Sequence, residues 1–262
     1  MEIVRVRLVS SEKTKACEKA PIEVVKALRK IKGSESGNEV HVDKLNLEEI
    51  HVDLDDLDGS HNLIFENSKE IFEKTQKSFF IGGDHSISYS IARALREIQE
   101  NSLLIVFDAH VDYSGVEGKI DHKNWLGKLI ECGFPGGRII LVGPRNLSLE
   151  DREFLKENKI TLINMDVLQE NISEVCDIVM ERAKSSGGFY VSIDMHSVDP
   201  AFAPGVYEGE PGGLSSRELI YFIKRLSLLD SFRGGDIVEI NPEKDFHGMT
   251  VKLGAKLLGE MI

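Results

Sequence analysis

No stretch of this sequence stays apolar for the roughly 18 residues a membrane-crossing helix requires, so neither a span nor a membrane partner is expected. Cysteine is scarce. Cys17, Cys132 and Cys176 are an odd number at wide spacing, which excludes a disulfide framework and a zinc knuckle and leaves buried or idle thiols. Positive charge is also short: 32 Lys and Arg stand against 44 Asp and Glu, a formal net charge of −12, with no basic cluster to override it. Such a surface repels phosphate backbones, so nucleic acid is not expected as a partner. The start, MEIVRVRLVSSEK, sets charges at alternate positions of its apolar stretch, which a secretory signal does not tolerate, and a cytoplasmic location is expected.

What is present is a hydrophobic fraction of 41% spread in short runs, enough to rule out disorder, with no linker to divide residues 1–262 into more than one domain. Seven β-rich runs read as strands: Ile3 to Val9, Ser78 to Ile81, Leu103 to Phe107, Arg138 to Val142, Ile160 to Ile163, Phe189 to Ile193 and Asp236 to Ile240. Between them, Ile87 to Ile98, Leu126 to Ile130 and Leu219 to Leu226 carry the helical period. This alternation implies an α/β fold, a parallel sheet covered on both faces. Gly33 to Ser60 is more polar and reads as an exposed excursion. Its DLDDLDG lacks the ligand spacing and closing glutamate of a calcium loop and reads as an acidic turn.

In an open parallel sheet, ligands bind beyond the carboxyl ends of the strands, where the loops diverge. Four strand ends carry GGDHS, DAHVD, DMHSVDP and EINP. An extended backbone sends Asp108, His110 and Asp112 to one side, and the same period pairs Asp194 with His196. Carboxylates at this density need cations, because an unpaired buried charge costs several kcal/mol. With His85, six ligands converge from three strand ends, which suits two metal ions about 3.5 Å apart sharing one activated hydroxide. Mixed carboxylate and imidazole ligands suit Mn, Fe, Co, Ni or Zn rather than Ca or Mg.

Taken in order, GGDHS, DAHVD, SIDMHSVDPAFAPG followed by EPGGLS, and IVEINP resemble the signatures of the ureohydrolase (arginase/agmatinase) superfamily over Gly82 to Pro242. The resemblance implies a three-layer αβα fold around a central parallel eight-stranded sheet, two divalent metal ions, usually manganese, and hydrolysis of a guanidino or related C–N bond. It implies that His85 serves the first metal and His110 the second, that Asp108 and Asp194 touch both, and that Asp112 supports the first. Asp108 then counts with Glu239 and His122 as catalytic: Glu239 grips the guanidinium, and His122, whose local HKNWL departs from the family pattern, shuttles protons to the leaving nitrogen. A homo-oligomer, a trimer or hexamer, is also implied.

His196 is the main departure, since relatives carry Asp there. An imidazole at the second site favours Ni, Co, Fe or Zn over Mn and leaves the site one negative charge short. The stretches that hold an amino-acid head group in arginases differ as well. Ser114 stands for the expected Asn, Gly118 for Ser, and Ser148 for an Asp, so Ser148, Glu239 and His122 are the substrate-contacting candidates. A small cationic substrate without an α-carboxylate fits best, which places the chain closer to agmatinase than to arginase. Other guanidino or formimino compounds remain open, as does a non-catalytic protein on this fold. A one-metal deacetylase-like hydrolase conflicts with His85 and Asp112.

Overall fold

A computed structural model describes residues 1–114 and 118–262. Eight parallel strands form one sheet: β1 (Glu2–Val6), β2 (Asn46–Ile50), β3 (Ser78–Gly82), β4 (Ser102–Phe107), β5 (Ile139–Val142), β6 (Thr161–Ile163), β7 (Gly188–Asp194) and β8 (Phe232–Val238). Their order is β2-β1-β3-β8-β7-β4-β5-β6. Helices α1 (Ala20–Leu28), α2 (Leu57–Lys74), α3 (Ile87–Ile98), α4 (Trp125–Glu131), α5 (Leu149–Glu157), α6 (Met165–Glu170), α7 (Ile172–Lys184), α8 (Ser216–Ser227) and α9 (Met249–Met261) cover it.

Both faces are buried, and the pleat divides them. Along β4, Leu103, Ile105 and Phe107 join one apolar cluster with α1, α7, α8 and α9, while Leu104 and Val106 join a second with α2, α3 and α4. Three layers result, αβα, as the sequence implies. Strand β2 is the correction. It lies inside the stretch read as an exposed excursion, pairs in parallel with β1, and is an edge strand whose Glu48 faces solvent while Ile50 turns inward. The acidic turn before α2 has a local job: the Asp56 side chain accepts the Gly59 backbone N–H at 3.0 Å and caps the helix. Among the described residues, no helix is long and apolar enough to cross a membrane.

The four motif-bearing strands, β3, β8, β7 and β4, are adjacent at the centre of the sheet, so their carboxyl ends open on one crevice. Close packing shapes this edge. A Cβ on Gly83 would lie 2.0 Å from the Leu8 carbonyl oxygen, which only glycine avoids.

Candidate metal centre

His85 stands at the bottom of the crevice and is wholly buried. Its Nδ1 lies 3.1 Å from Asp108 Oδ2, 3.3 Å from Asp112 Oδ2 and 3.1 Å from Asp194 Oδ2. One ligand atom from each of these four residues falls within 4.8 Å of all the others. The second oxygens of the two shared carboxylates turn outward. Asp108 Oδ1 is 3.3 Å from His110 Nδ1, Asp194 Oδ1 is 2.7 Å from His196 Nδ1, and the two outer imidazoles stand 5.2 Å apart. Asp108 and Asp194 therefore face two half-sites: an inner one with His85 and Asp112, and an outer one with His110 and His196.

Local structure aims each group. Asp112 and Glu239 both adopt left-handed backbone, φ 50° and 64°, a conformation costing a non-glycine residue about 1 kcal/mol or more. Asp112 is held there because its carbonyl accepts the Leu126 and Gly127 N–H groups at the start of α4, while Trp125 Nε1 donates to its Oδ2 at 3.0 Å. Glu239 is fixed by its own N–H to the Gly83 carbonyl and by the His85 backbone N–H, which donates to Oε1 at 2.9 Å. The Glu239 Oε2 is buried with no partner.

The outer imidazole of His196 is oriented by the Tyr207 backbone carbonyl, which can only accept, so Nε2 carries a proton and Nδ1 is turned toward Asp194. Arg145 secures that loop, donating to the carbonyls of His196, Glu210 and Pro211. On the other side, the His122 backbone N–H donates to Ser10 Oγ at 3.0 Å, and that hydroxyl donates to the fully buried Asp84 at 2.7 Å. The His122 Nδ1 is buried without a partner.

Burial and crowding shift the charges of these groups in opposite directions. Burial opposes the Asp112 carboxylate and, with Asp108 beside it, pushes its pKa up to about 6. Burial likewise drives Glu239 well above the usual carboxylate range, helped by Asp194 and Asp84. For His85 burial works against the proton, yet the three surrounding carboxylates win and raise it well above the usual value. The same contest lifts His196 to about 10, burial opposed by Asp194. His85 Nδ1 has no properly directed hydrogen-bond partner in this ring of carboxylates. An orphaned imidazole nitrogen amid three anionic oxygens fits a divalent ion.

Above the half-sites lies a cavity enclosing about 250 Å³, with Asp194, His196, His110, Glu239 and His122 toward its floor and Tyr113, Asn146, Leu147, Asp151 and Glu208 on its walls. Ser148 is not among the lining residues. Its hydroxyl accepts the Asp151 N–H at 3.0 Å while Asp151 accepts the Ser148 N–H at 2.7 Å, a capping box that starts α5. Asp151, one turn on, does line the cavity. Ser114 does line the cavity, and Gly118, at φ 116°, is not among its lining residues. Sequence reasoning also missed Trp125, Arg145 and the buried Ser192 and Asp236 behind His85. The Ser-x-x-Asp pattern at 148–151 was a readable cap signal.

Comparison with known proteins places this architecture. Arginase 1, mitochondrial, of Oryza sativa subsp. indica is 34% identical over 205 residues, 76% of this chain and 59% of the relative. The chain thus matches less than two thirds of that relative's length. Formimidoylglutamase from Bacillus subtilis superposes with a TM-score of 0.91 at 26% identity, covering 99% of this chain and 85% of the other. The agmatine ureohydrolase of Thermoplasma volcanium gives 0.85 at 26% identity, with 99% and 87% covered. The family model described as "Arginase family" matches residues 4–262, and the chain belongs to that family.

Proposed function

We propose that the protein is a two-metal hydrolase of linear amidine or guanidino C–N bonds with agmatinase-like preference, cleaving agmatine to putrescine and urea. The observation that carries this reading is the sharing of Asp108 and Asp194, each with one oxygen toward His85 and the other toward an outer imidazole. His85, Asp108, Asp112 and Asp194 would hold one divalent ion, and His110, His196 and the outer oxygens of Asp108 and Asp194 the other. Bound there, such ions supply Lewis-acid activation of water at neutral pH.

The chain's own residues do the rest. The unpartnered Glu239 Oε2 receives the planar cationic head of the substrate, whose charge restores the ionised carboxylate that burial disfavours. This fixes the amidine carbon over the floor of the cavity. Burial lowers the pKa of His122, so it is neutral at pH 7 and its imidazole, which lines the cavity, accepts a proton and delivers it to the departing nitrogen. At the far wall, Tyr113 lies among the carboxylates of Asp151, Glu150 and Glu153, which, after burial, raise its pKa. An acidic wall favours an ammonium tail over an α-carboxylate.

A second reading, a formimino substrate with an acidic tail, draws on Lys123 beside the same cavity and on the likeness to formimidoylglutamase. The deciding experiment supplies agmatine, arginine, formiminoglutamate and a guanidino acid to protein reconstituted separately with Mn²⁺, Co²⁺, Ni²⁺, Zn²⁺ and Fe²⁺. Agmatine is expected to give the highest kcat/KM. Preference for formiminoglutamate selects the second reading, and no turnover of any substrate rejects both.

A further inference from the structure

Behind His85 runs a closed chain of buried polar groups that nothing in the reaction uses directly. Tyr190, Ser192 and Asp194 alternate along one side of β7, and Asp236 of β8 lies in register with Ser192. The Ser192 hydroxyl donates to Asp236 Oδ1 at 2.7 Å, and Ser88 of α3 donates to Asp236 Oδ2 at 2.9 Å. His85 Nε2 is 3.0 Å from Ser192 Oγ. Ser88, Ser192, Asp236 and His85 are each fully buried, so no solvent relaxes the pattern.

Proton counting gives the chain a direction. A carboxylate only accepts, so it takes the single proton of each serine. The 3.1 Å contact between the two hydroxyls then carries no proton of its own. Ser192 has only lone pairs left for His85, and the imidazole must donate from Nε2. The remaining nitrogen, Nδ1, is the one facing Asp108, Asp112 and Asp194.

We propose that Asp236 is a positioning residue that, through Ser192, fixes the proton of His85 on Nε2 and so reserves Nδ1 for the inner metal ion. The inference rests on the reading of His85 as a metal ligand. Direct carboxylate–imidazole pairs are a usual way to orient such ligands. Here a serine stands between, which keeps the Asp236 charge one residue back from a floor already crowded with carboxylates.

An Asn at 236 brings an N–H donor to one of the serines and removes the single direction of the chain. Zn²⁺ and Mn²⁺ binding by the full chain, measured by chelator competition with metal counted per chain, is expected to weaken about ten- to hundredfold at the first equivalent in Asp236→Asn and in Ser192→Ala. Ser192→Thr, which keeps the hydroxyl, is expected to restore wild-type affinity. In ¹⁵N spectra, with the His85 signals assigned by their loss in His85→Gln, the wild type keeps a proton on Nε2 both metal-free and Zn²⁺-loaded. A purely structural role would lower thermal stability without moving that proton. If Asp236→Asn fails to fold, Ser192→Ala with its Thr rescue and the wild-type spectrum still decide. Folded variants with unchanged affinity, or a wild-type Nε2 lacking its proton, overturn the proposal. Should the wild type bind neither ion, the metal reading falls while the Nε2 proton still tests the relay.

Discussion

The inner and outer halves of the crevice are built on different principles. His85 is sealed at 0% exposure, backed by Ser192 and Asp236 and packed against Trp125 at 4.5 Å between rings. His110, by contrast, keeps 44% of its side chain exposed, and His196 takes its orientation from a loop carbonyl. The inner half is an extension of the core. The outer half sits on the segments just beyond β4 and β7, with His196 in a 3-10 turn, and lines the cavity. The same two aspartates thus serve a desolvated neighbour, His85, and a pair of outer imidazoles of which His110 is open to solvent and His196 is buried, and two ions held by them are expected to differ in affinity and exchange rate.

The largest effect should come from the residue both halves share. Asp194→Asn is expected to abolish binding of at least one ion and lower kcat/KM on the order of 10³-fold. Two equivalents of metal retained in that variant would show that Asp194 does not join the halves.

Acid is a natural way to strip the two halves in turn, but only where the fold survives, and His61 limits that range. Burial lowers its pKa to about 4, against partial opposition from Asp84 and Asp58. Because the folded-state pKa is depressed, the unfolded chain binds the proton first. The stability contribution is therefore full above pH 6.5 and lost as pH falls toward 4, by about 3 kcal/mol. Urea midpoints measured across that range should flatten in His61→Asn; an unchanged pH slope would remove His61 from the account.

Glu239→Gln bears on substrate rather than on either half. It should lower kcat/KM by about 10²-fold, with KM raised and metal content unchanged. Loss of metal from this variant would assign Glu239 to the ions instead.

The smallest expected change singles out the outer half. His196→Asp, which exchanges nitrogen for oxygen, should tighten the second equivalent of Mn²⁺ by about tenfold and leave the first unchanged. Calorimetric titration of both proteins with Mn²⁺ and Ni²⁺ tests this, and a first equivalent that shifts with the second would erase the distinction between halves.

Much of this was legible in the chain. The motif-bearing strands stand out because strands buried on both faces read as continuous apolar runs, and their ends carry the Asp and His clusters. Strand β2 did not stand out: of NLEEI only Ile50 is buried, so Glu48 and Glu49 give it the look of a loop. The end of β8 was misjudged for a related reason. The run to Ile240 looks extended, yet the strand stops at Val238 and the next residue, Glu239, takes a left-handed turn, a choice made by its contacts with Gly83 and His85. The Ser192–Asp236 pair was invisible because only strand register joins residues 44 positions apart. The capping role of Ser148 was readable from its Ser-x-x-Asp spacing but was passed over for an expectation about position.

Arg145 has a bearing on how the molecule comes into being. Its guanidinium reaches carbonyls 51 to 66 residues further along the chain, from His196 to Pro211. That span includes β6, α6, α7 and all of β7, none of which can be bypassed. The loop that aims His196 is therefore locked only after β5 and β7 have both docked on β4, and long-range contacts of this kind form late because loop closure precedes their reward. In refolding followed by two probes, far-ultraviolet circular dichroism should recover before uptake of the second metal ion, and weakening the clasp with Arg145→Lys should widen the interval between them.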